Sequence, residues 1–357
     1  MNLSPRRPMR LSRLPIAVKS ALGDKTGMVV DLHEDIGYYY LMGGSTPFDQ
    51  NLRGRQADIP KYKTAGMNVV LGSVFPMVGS LNRRKIDAMQ KMYGYWSSSS
   101  ALVAPRDIAI ELIKIYYSLE ELYPDHLKIV RTKEDLESLG KRVGIILHIE
   151  GCEALGEPED LRVFFNLGVR SIGLTWNYDN KFAASCLSTK DYGLTGEGEA
   201  LVALADRLGV MVDLSHASPK TSSDALNVAV LSPFFSHSDS ASVQSNSRNI
   251  SDDLVRETGR RGGIVGLTFI RSCIGRPFTA ARLADHAKRF MKVGGPAAPA
   301  LGTDFLGMSR APEGMADVSR VGKFRRALVE AGVPTNQAEG IMHANAYRFI
   351  LERSSHW

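Results

Sequence analysis

Residues 28–35 read MVVDLHED and residues 143–151 read VGIILHIEG. Each is a short, largely apolar run that ends in a residue able to bind a metal ion: His33 and Asp35 in the first, Glu150 in the second. The same event recurs in MVDLSH at 211–216, PFFSHS at 233–238 and LGTDF at 301–305, which end on His216, His237 and Asp304. Neutral imidazoles and carboxylates are the usual protein ligands for zinc and similar divalent ions. Their placement matters as much as their type, because a barrel of parallel strands gathers its strand ends into one pocket.

Working outward, short apolar runs alternate with longer amphipathic ones. Strands are predicted near Met28–His33, Asn68–Ser73, Val143–Ile149, Ser171–Thr175, Val210–Ser215, Pro233–Ser236, Gly263–Thr268 and Pro299–Thr303. Several are almost continuously apolar, as strands buried on both faces of a parallel sheet are. Helices are predicted between them. Pro158–Leu167 opens on a proline and two acids, Glu199–Leu208 stops at Gly209, and Ser251 caps SDDLVRETG. Thr279–Val293 ends at Gly294, and Val321–Ala331 and Gln337–Arg353 close the chain. About eight strands with intervening helices predict an α/β fold, a (β/α)8 TIM barrel. A doubly wound open sheet is disfavoured, because no glycine-rich phosphate fingerprint follows the first strand. The stretch from about 76 to 142 departs from the pattern and reads as a helical insertion between strands 2 and 3. It contains Ser97–Ser100 and a long helix over Pro105–Leu122. The whole chain, 1–357, is thus expected to be one barrel domain with that insertion and a basic extension over 1–20.

Hydrophobic residues at 44% and charged ones at 23% are ordinary for a globular protein. No apolar stretch approaches the ~18 residues of a membrane-spanning helix. The net charge of +6 raises the question of nucleic acid, but the basic residues are scattered without an aromatic-laced stripe. The start, MNLSPRRPMRLSRLP, has no apolar core of signal-peptide length. A disordered or surface-draped tail is favoured over an organellar presequence. Cys152, Cys186 and Cys273 are odd in number and form no CxxC pair, so free thiols and a cytoplasmic location are expected.

Taken singly, each strand-end residue has a plainer reading. HxD is a weak signal, although residues two apart on a strand share a face and both can point into a barrel mouth. Glu150 would be an ion-pair partner, with Arg170 as the candidate, or a carboxylate shared by two metals. His148 is better read as a hydrogen-bonded barrel histidine, and His286, within ADHAKRF, as structural. His216 and His237 end neighbouring strands ~4.8 Å apart and could reach one ion. Asp304 is a helix cap or, in a metal pocket, a general base and acid. The coincidence of all six at strand ends is what points to a site.

In this order the segments are specific. VVDLHEDI, HIEGCEAL, LTWNYDN, GVMVDLSHAS, FFSHSDS, SRNISDDLV, GGIVGLTF and GTDFLG, followed by NAYRF, resemble the membrane (renal) dipeptidase family. This is a zinc peptidase branch of the amidohydrolase superfamily, and the chain looks like a microbial-type member. The resemblance implies a barrel holding two divalent metal ions, most commonly zinc. His33 and Asp35 would bind one, His216 and His237 the other, and Glu150 would bridge them. It also implies that Asp304 is the proton-transferring acid/base and that Arg248, otherwise a solvated loop arginine, binds the free carboxylate of the substrate. Two positions depart from the mammalian pattern. Trp176 stands where a histidine is supposed to polarise the substrate carbonyl, and Leu306 replaces the acid of DFDG. Both bear on which substrates fit.

The expected activity is hydrolysis of small dipeptides with a free C-terminal carboxylate, by metal-activated hydroxide with Asp304 as acid and base. The alternatives are a related amidohydrolase acting on N-acyl amino acids, cyclic amides or lactones, and a barrel that only binds a small molecule. No nucleic-acid or membrane partner is expected; a homodimer is implied by the resemblance.

Overall fold

Every expected strand but one forms as a strand, and the exception still joins the ring. The computed structural model describes residues 27–44, 46–76, 91–92 and 104–357. Its strands are β1 (Val29–Glu34), β2 (Met67–Val74), β3 (Leu127–Ile129), β4 (Val143–Glu150), β5 (Val169–Gly173), β6 (Met211–Asp213), β7 (Val265–Leu267) and β8 (Pro299–Leu301). They are parallel, in the order β1-β2-β4-β5-β6, with β7 paired to β8. The segment expected as a strand at Pro233–Ser236 supplies the missing stave through single bridges, Asp213 to Phe234 on one side and Phe235 to Val265 on the other. Pro233 has no N–H to give, and the Ser236 N–H goes to the Asp213 carboxylate at 2.8 Å, so a continuous ladder cannot form there. A parallel bridge from Glu34 to Phe305 joins the last stave to the first. The backbone N–H groups of Asp304 and Asp35 reinforce it, donating to His33 and Phe305 carbonyls at 3.0 and 2.9 Å. The ring is therefore a (β/α)8-type barrel rather than an open sheet.

Two aspartates staple staves together. Asp31 accepts the Thr303 N–H at 2.8 Å and the Thr303 hydroxyl at 2.6 Å, tying β1 to the end of β8. Asp213 does the same for Ser236, at 2.8 Å from N–H and 2.5 Å from Oγ, tying β6 to the sixth stave. Close approach is required here: a Cβ at Gly302 would overlap the Ser236 carbonyl oxygen. Val30, Leu32, Val69, Leu71, Ile146, Phe234 and Ala300 form one buried cluster with Phe349 and Ile350 of the last helix. The alternate strand residues Val29, Val70, Ile145, Leu147 and Ile149 pack in a second, larger cluster with the helices.

The helices follow their caps. Ser251 and Thr279 each accept a backbone N–H three residues on and start Asp252–Arg260 and Ala280–Gly294. Asp160–Asn166 is shorter than expected, whereas Gly196–Leu208 starts three residues earlier, on Thr195. The final helix runs from Thr335 to Ser354 but is not α-helical throughout. Thr335–Glu339 and Asn345–Ser354 are separated by a π-turn at Gly340–Ala344, where Asn345 Nδ2 donates to the carbonyls of Pro296 and Pro299 at 3.1 and 2.8 Å. The insertion contains the helix Pro105–Leu122, the short helix Lys133–Glu137 and the unexpected β3, which pairs with the start of β4. The tetra-serine segment and the basic extension lie outside the described residues. Among the described residues no helix is long and apolar enough to cross a membrane.

Candidate active site

The bend in β1 decides where the first two site residues point. Val30 and Leu32 alternate into the barrel cluster, but the pairing of β1 with β2 shifts register between Asp31 and Glu34. A bulge of this kind re-aims side chains. Glu34 turns to the Tyr62 hydroxyl at 2.5 Å, while His33 Nε2 comes within 3.5 Å of Glu150 Oε2 and 3.6 Å of Asp35 Oδ2. Glu150, at the end of β4, also receives the Ser73 hydroxyl at 3.2 Å on Oε2. Its other oxygen, Oε1, lies 3.1 Å from His216 Nε2 and 3.6 Å from His237 Nε2. The carboxylate is thus divided between His33 on one side and the His216–His237 pair on the other. Arg170, the alternative ion-pair partner, is engaged elsewhere: it donates to the carbonyls of Arg131, Phe165 and Val169.

Among the described residues, two sets of potential ligand atoms lie within 4.8 Å of one another: His33, Glu150 and His237, and His33, Asp35 and Asp304. All six strand-end residues are buried. Asp304 caps no described helix. It follows β8 with φ 68°, and His216 has φ 67°, so both hold a left-handed backbone that a side chain disfavours. Such strain, of order 1–3 kcal/mol per residue, concentrates at functional sites. Gly307 completes the pocket floor, because a Cβ there would overlap the carboxylates of both Asp35 and Asp304.

The electrostatics are those of a cation site. Burial pushes the Asp304 carboxyl well above the usual carboxylate range, and the neighbouring charges of Asp35 and Glu150 add to it. Burial opposes both changes, yet Glu150 holds the His33 imidazole above its ordinary range and His33 holds Glu150 below its own. Burial, reinforced by Arg248, pushes His216 down to about 3, and burial likewise lowers His237. The neutral rings are clamped in one orientation. His216 Nδ1 meets Asn177 Oδ1 at 2.8 Å. His237 Nδ1 meets Ser236 Oγ at 2.6 Å, and that hydroxyl donates to Asp213. Each ring therefore gives away its Nδ1 hydrogen and turns an Nε2 lone pair inward. Those two Nε2 atoms lie 2.9 Å apart and both face Glu150 Oε1. Three electron-pair donors converging without a hydrogen among them fit a bound cation. On the other side both His33 ring nitrogens and Asp35 Oδ1 are buried without a hydrogen-bond partner, which fits the same requirement.

The remaining expected residues surround this centre. Arg248 is buried rather than solvated, and its terminal nitrogen donates to the His237 carbonyl at 3.2 Å. Trp176 packs over the site, with its ring 5.9 Å from His216 and 4.8 Å from Phe75. Leu306, also left-handed at φ 70°, gives its N–H to Gln56 Oε1 at 2.7 Å. His148 is hydrogen-bonded to Ser171 Oγ at 2.9 Å, and His286 is held between the Ser240 N–H and the Ile274 carbonyl. Asn177, Ser236 and Asp213 escaped the sequence reading as supporting groups. The signal available was polar residues in strands and strand ends otherwise built for burial.

The comparisons agree with this geometry. The sequence model of the membrane dipeptidase family (Peptidase family M19) matches residues 22–355. An uncharacterized dipeptidase of Schizosaccharomyces pombe is 31% identical over 344 residues, covering 91% of this chain and 80% of that protein. A second from the same organism is 31% identical over 300 residues, covering 82% and 72%. A metallo peptidase from Rhodobacter sphaeroides, solved with a phosphinate mimic of L-Ala-D-Ala, shares the fold. It superposes with a TM-score of 0.79 at 24% identity, over 91% of this chain and 99% of that one. With strand-end histidines and carboxylates gathered at one barrel mouth, and a family match running almost from end to end, the chain belongs to the membrane dipeptidase family of metallopeptidases.

Proposed function

We propose that the protein is a binuclear zinc dipeptidase that cleaves small dipeptides carrying a free C-terminal carboxylate. The observation that carries this reading is the divided carboxylate of Glu150, with Oε2 toward His33 and Oε1 toward His216 and His237. His33 and Asp35 would hold one ion, His216 and His237 the other, and Glu150 would reach both. When bound, such ions polarise a carbonyl and bring the pKa of a water down to ~7. Asp304 takes the proton of the attacking water on its carboxylate and returns it to the departing amine nitrogen. Its buried position favours the protonated form needed for the second transfer. The Arg248 guanidinium offers a planar fork to the C-terminal carboxylate. Trp176 walls the site on the His216 side and excludes water there. The chain acts as one barrel domain, with the described part of its insertion joined to the ring through β3. Three unpaired thiols support a reducing, cytoplasmic setting. A homodimer is the family-derived expectation, to be checked by light scattering.

Metal analysis combined with a panel of L,L and L,D dipeptides tests this reading. Turnover of at least one class is expected after loading with zinc, cobalt or manganese. No bound metal and no turnover would sink it. Asp304→Asn is expected to keep metal and lose about 10²–10⁴-fold in kcat; retained turnover would remove Asp304 from the mechanism. Arg248→Ala should raise KM for free dipeptides but not for their C-terminal amides. An equal effect on both would end the carboxylate assignment and favour the wider amidohydrolase reading.

A further inference from the structure

Of the three cysteines, Cys152 and Cys273 are buried, whereas Cys186 is partly exposed in the wall of a cavity. That cavity encloses about 280 Å³, and His216 and Arg248 also line it. The backbone places Cys186 there. Residues 184–186 run antiparallel to 216–218. The Ser218 N–H donates to the Ala184 carbonyl at 3.0 Å, Ser185 bridges to Ala217, and the Cys186 N–H donates to the His216 carbonyl at 2.7 Å. Asp179 pins this strap, taking the Ser185 N–H at 2.8 Å and the Ser185 hydroxyl at 3.1 Å on Oδ1. The strap thus holds the left-handed backbone of His216 and sets a thiol beside it.

That thiol meets the group that clamps the imidazole. Cys186 Sγ donates to Asn177 Oδ1 at 3.5 Å, and the same oxygen takes the His216 Nδ1 hydrogen at 2.8 Å. An asparagine amide can present either its oxygen or its NH2 group to a neighbour, and the two are nearly equal in shape. The choice decides what His216 can do. With the oxygen forward, the ring carries its hydrogen on Nδ1 and keeps the Nε2 lone pair for a cation. With the NH2 group forward, Nδ1 must accept, the hydrogen moves to Nε2, and that ligand position closes. An S–H aimed at the same atom as the Nδ1 hydrogen favours the oxygen. We infer that Cys186 is a positioning residue, whose thiol selects the orientation of the Asn177 amide and with it the tautomer in which His216 binds a metal ion. The inference rests on the metal-centre reading above.

The test is the zinc affinity of the full chain, measured by competition with a chromophoric chelator, in Cys186→Ser, Cys186→Val and Cys186→Ala. Serine keeps a donor and valine keeps bulk, so the order of the variants separates positioning from wall filling. Valine and alanine are expected to weaken the tighter zinc step about two- to fivefold, the size of one weak hydrogen bond, while serine stays near the native value. In an Asn177→Leu background Cys186→Val should change nothing further, because the thiol acts through the amide. Native affinity in the valine variant, a serine variant no better than valine, or full additivity with Asn177→Leu would each overturn the role of Cys186 while leaving the metal centre intact. A native chain that binds no zinc would overturn both.

Discussion

The two halves of the site are built on different terms. On the His216–His237 side each imidazole is clamped through Nδ1, by Asn177 in one case and by Ser236 backed by Asp213 in the other. On the His33–Asp35 side neither His33 ring nitrogen nor Asp35 Oδ1 has a hydrogen-bond partner, and His33 leans on the carboxylates around it. One half is thus organised by the protein before anything binds. The other is organised by a bulge, by Gly307 and by whatever cation neutralises its acids. If each half holds an ion as proposed, the first half should bind the tighter one and the second should empty first.

The largest expected effect is on the weakly supported half. His33→Ala removes the one residue common to both convergent ligand sets, so metal content should fall by about half or more and kcat by on the order of 10³. Full metal content in that variant would show that His33 is not a ligand. Next is metal removal from the native chain. If an ion binds the folded state only, stripping it should lower stability by about 2.7 kcal/mol relative to a concentration a hundredfold above its Kd. The measurement is a thermal melt with and without chelator, and coincident melts would count against a resident metal. Smaller still are changes to the clamps. Asn177→Leu and Ser236→Ala should each weaken metal affinity about 10–100-fold. Because the clamped half is the one affected, the tighter of two titration steps should move. A shift in the weaker step would reverse the comparison.

This asymmetry was only partly legible in the chain. The strand ends could be read because apolar runs and their terminal ligands are local in sequence, and Ser251 and Thr279 were readable as caps for the same reason. The even spacing of His33 and Asp35 indicated a shared face but could not show the bulge that swings both inward in place of Glu34. Left-handed backbone at His216 and Asp304 is likewise invisible, because neither is a glycine and the conformation is imposed by the ring around it. The clamps were missed because Asn177 and His216 are far apart in sequence, and nothing local marks the asparagine as their link. β3 escaped because three residues containing a lysine make no pattern, and the π-helical turn inside the last helix escaped because nothing local in the sequence marks it.

The smallest effect concerns what supports the clamped half from below. Glu153 follows Glu150 by three residues and anchors the loop that carries Trp176 and Asn177, taking a hydrogen bond from Asn180 Nδ2 at 3.3 Å. Burial raises its carboxyl to about 7. A raised acid pKa means that the folded chain holds a proton the unfolded chain has already lost. Stability from this group is therefore complete below the ordinary glutamate value of 4.5 and declines as pH rises through about 7. The full shift corresponds to about 3 kcal/mol, and the partial exposure of the side chain reduces that to roughly 1–2 kcal/mol. Glu153→Gln should remove this decline, making the variant more stable than the native chain at pH 8 but not at pH 5. Denaturant melts at the two pH values decide it. Because the loop also carries Asn177, the native chain should lose some affinity for its tighter ion over the same interval while the variant does not. Parallel behaviour of the two proteins would mean that the clamp on His216 does not depend on the proton at Glu153.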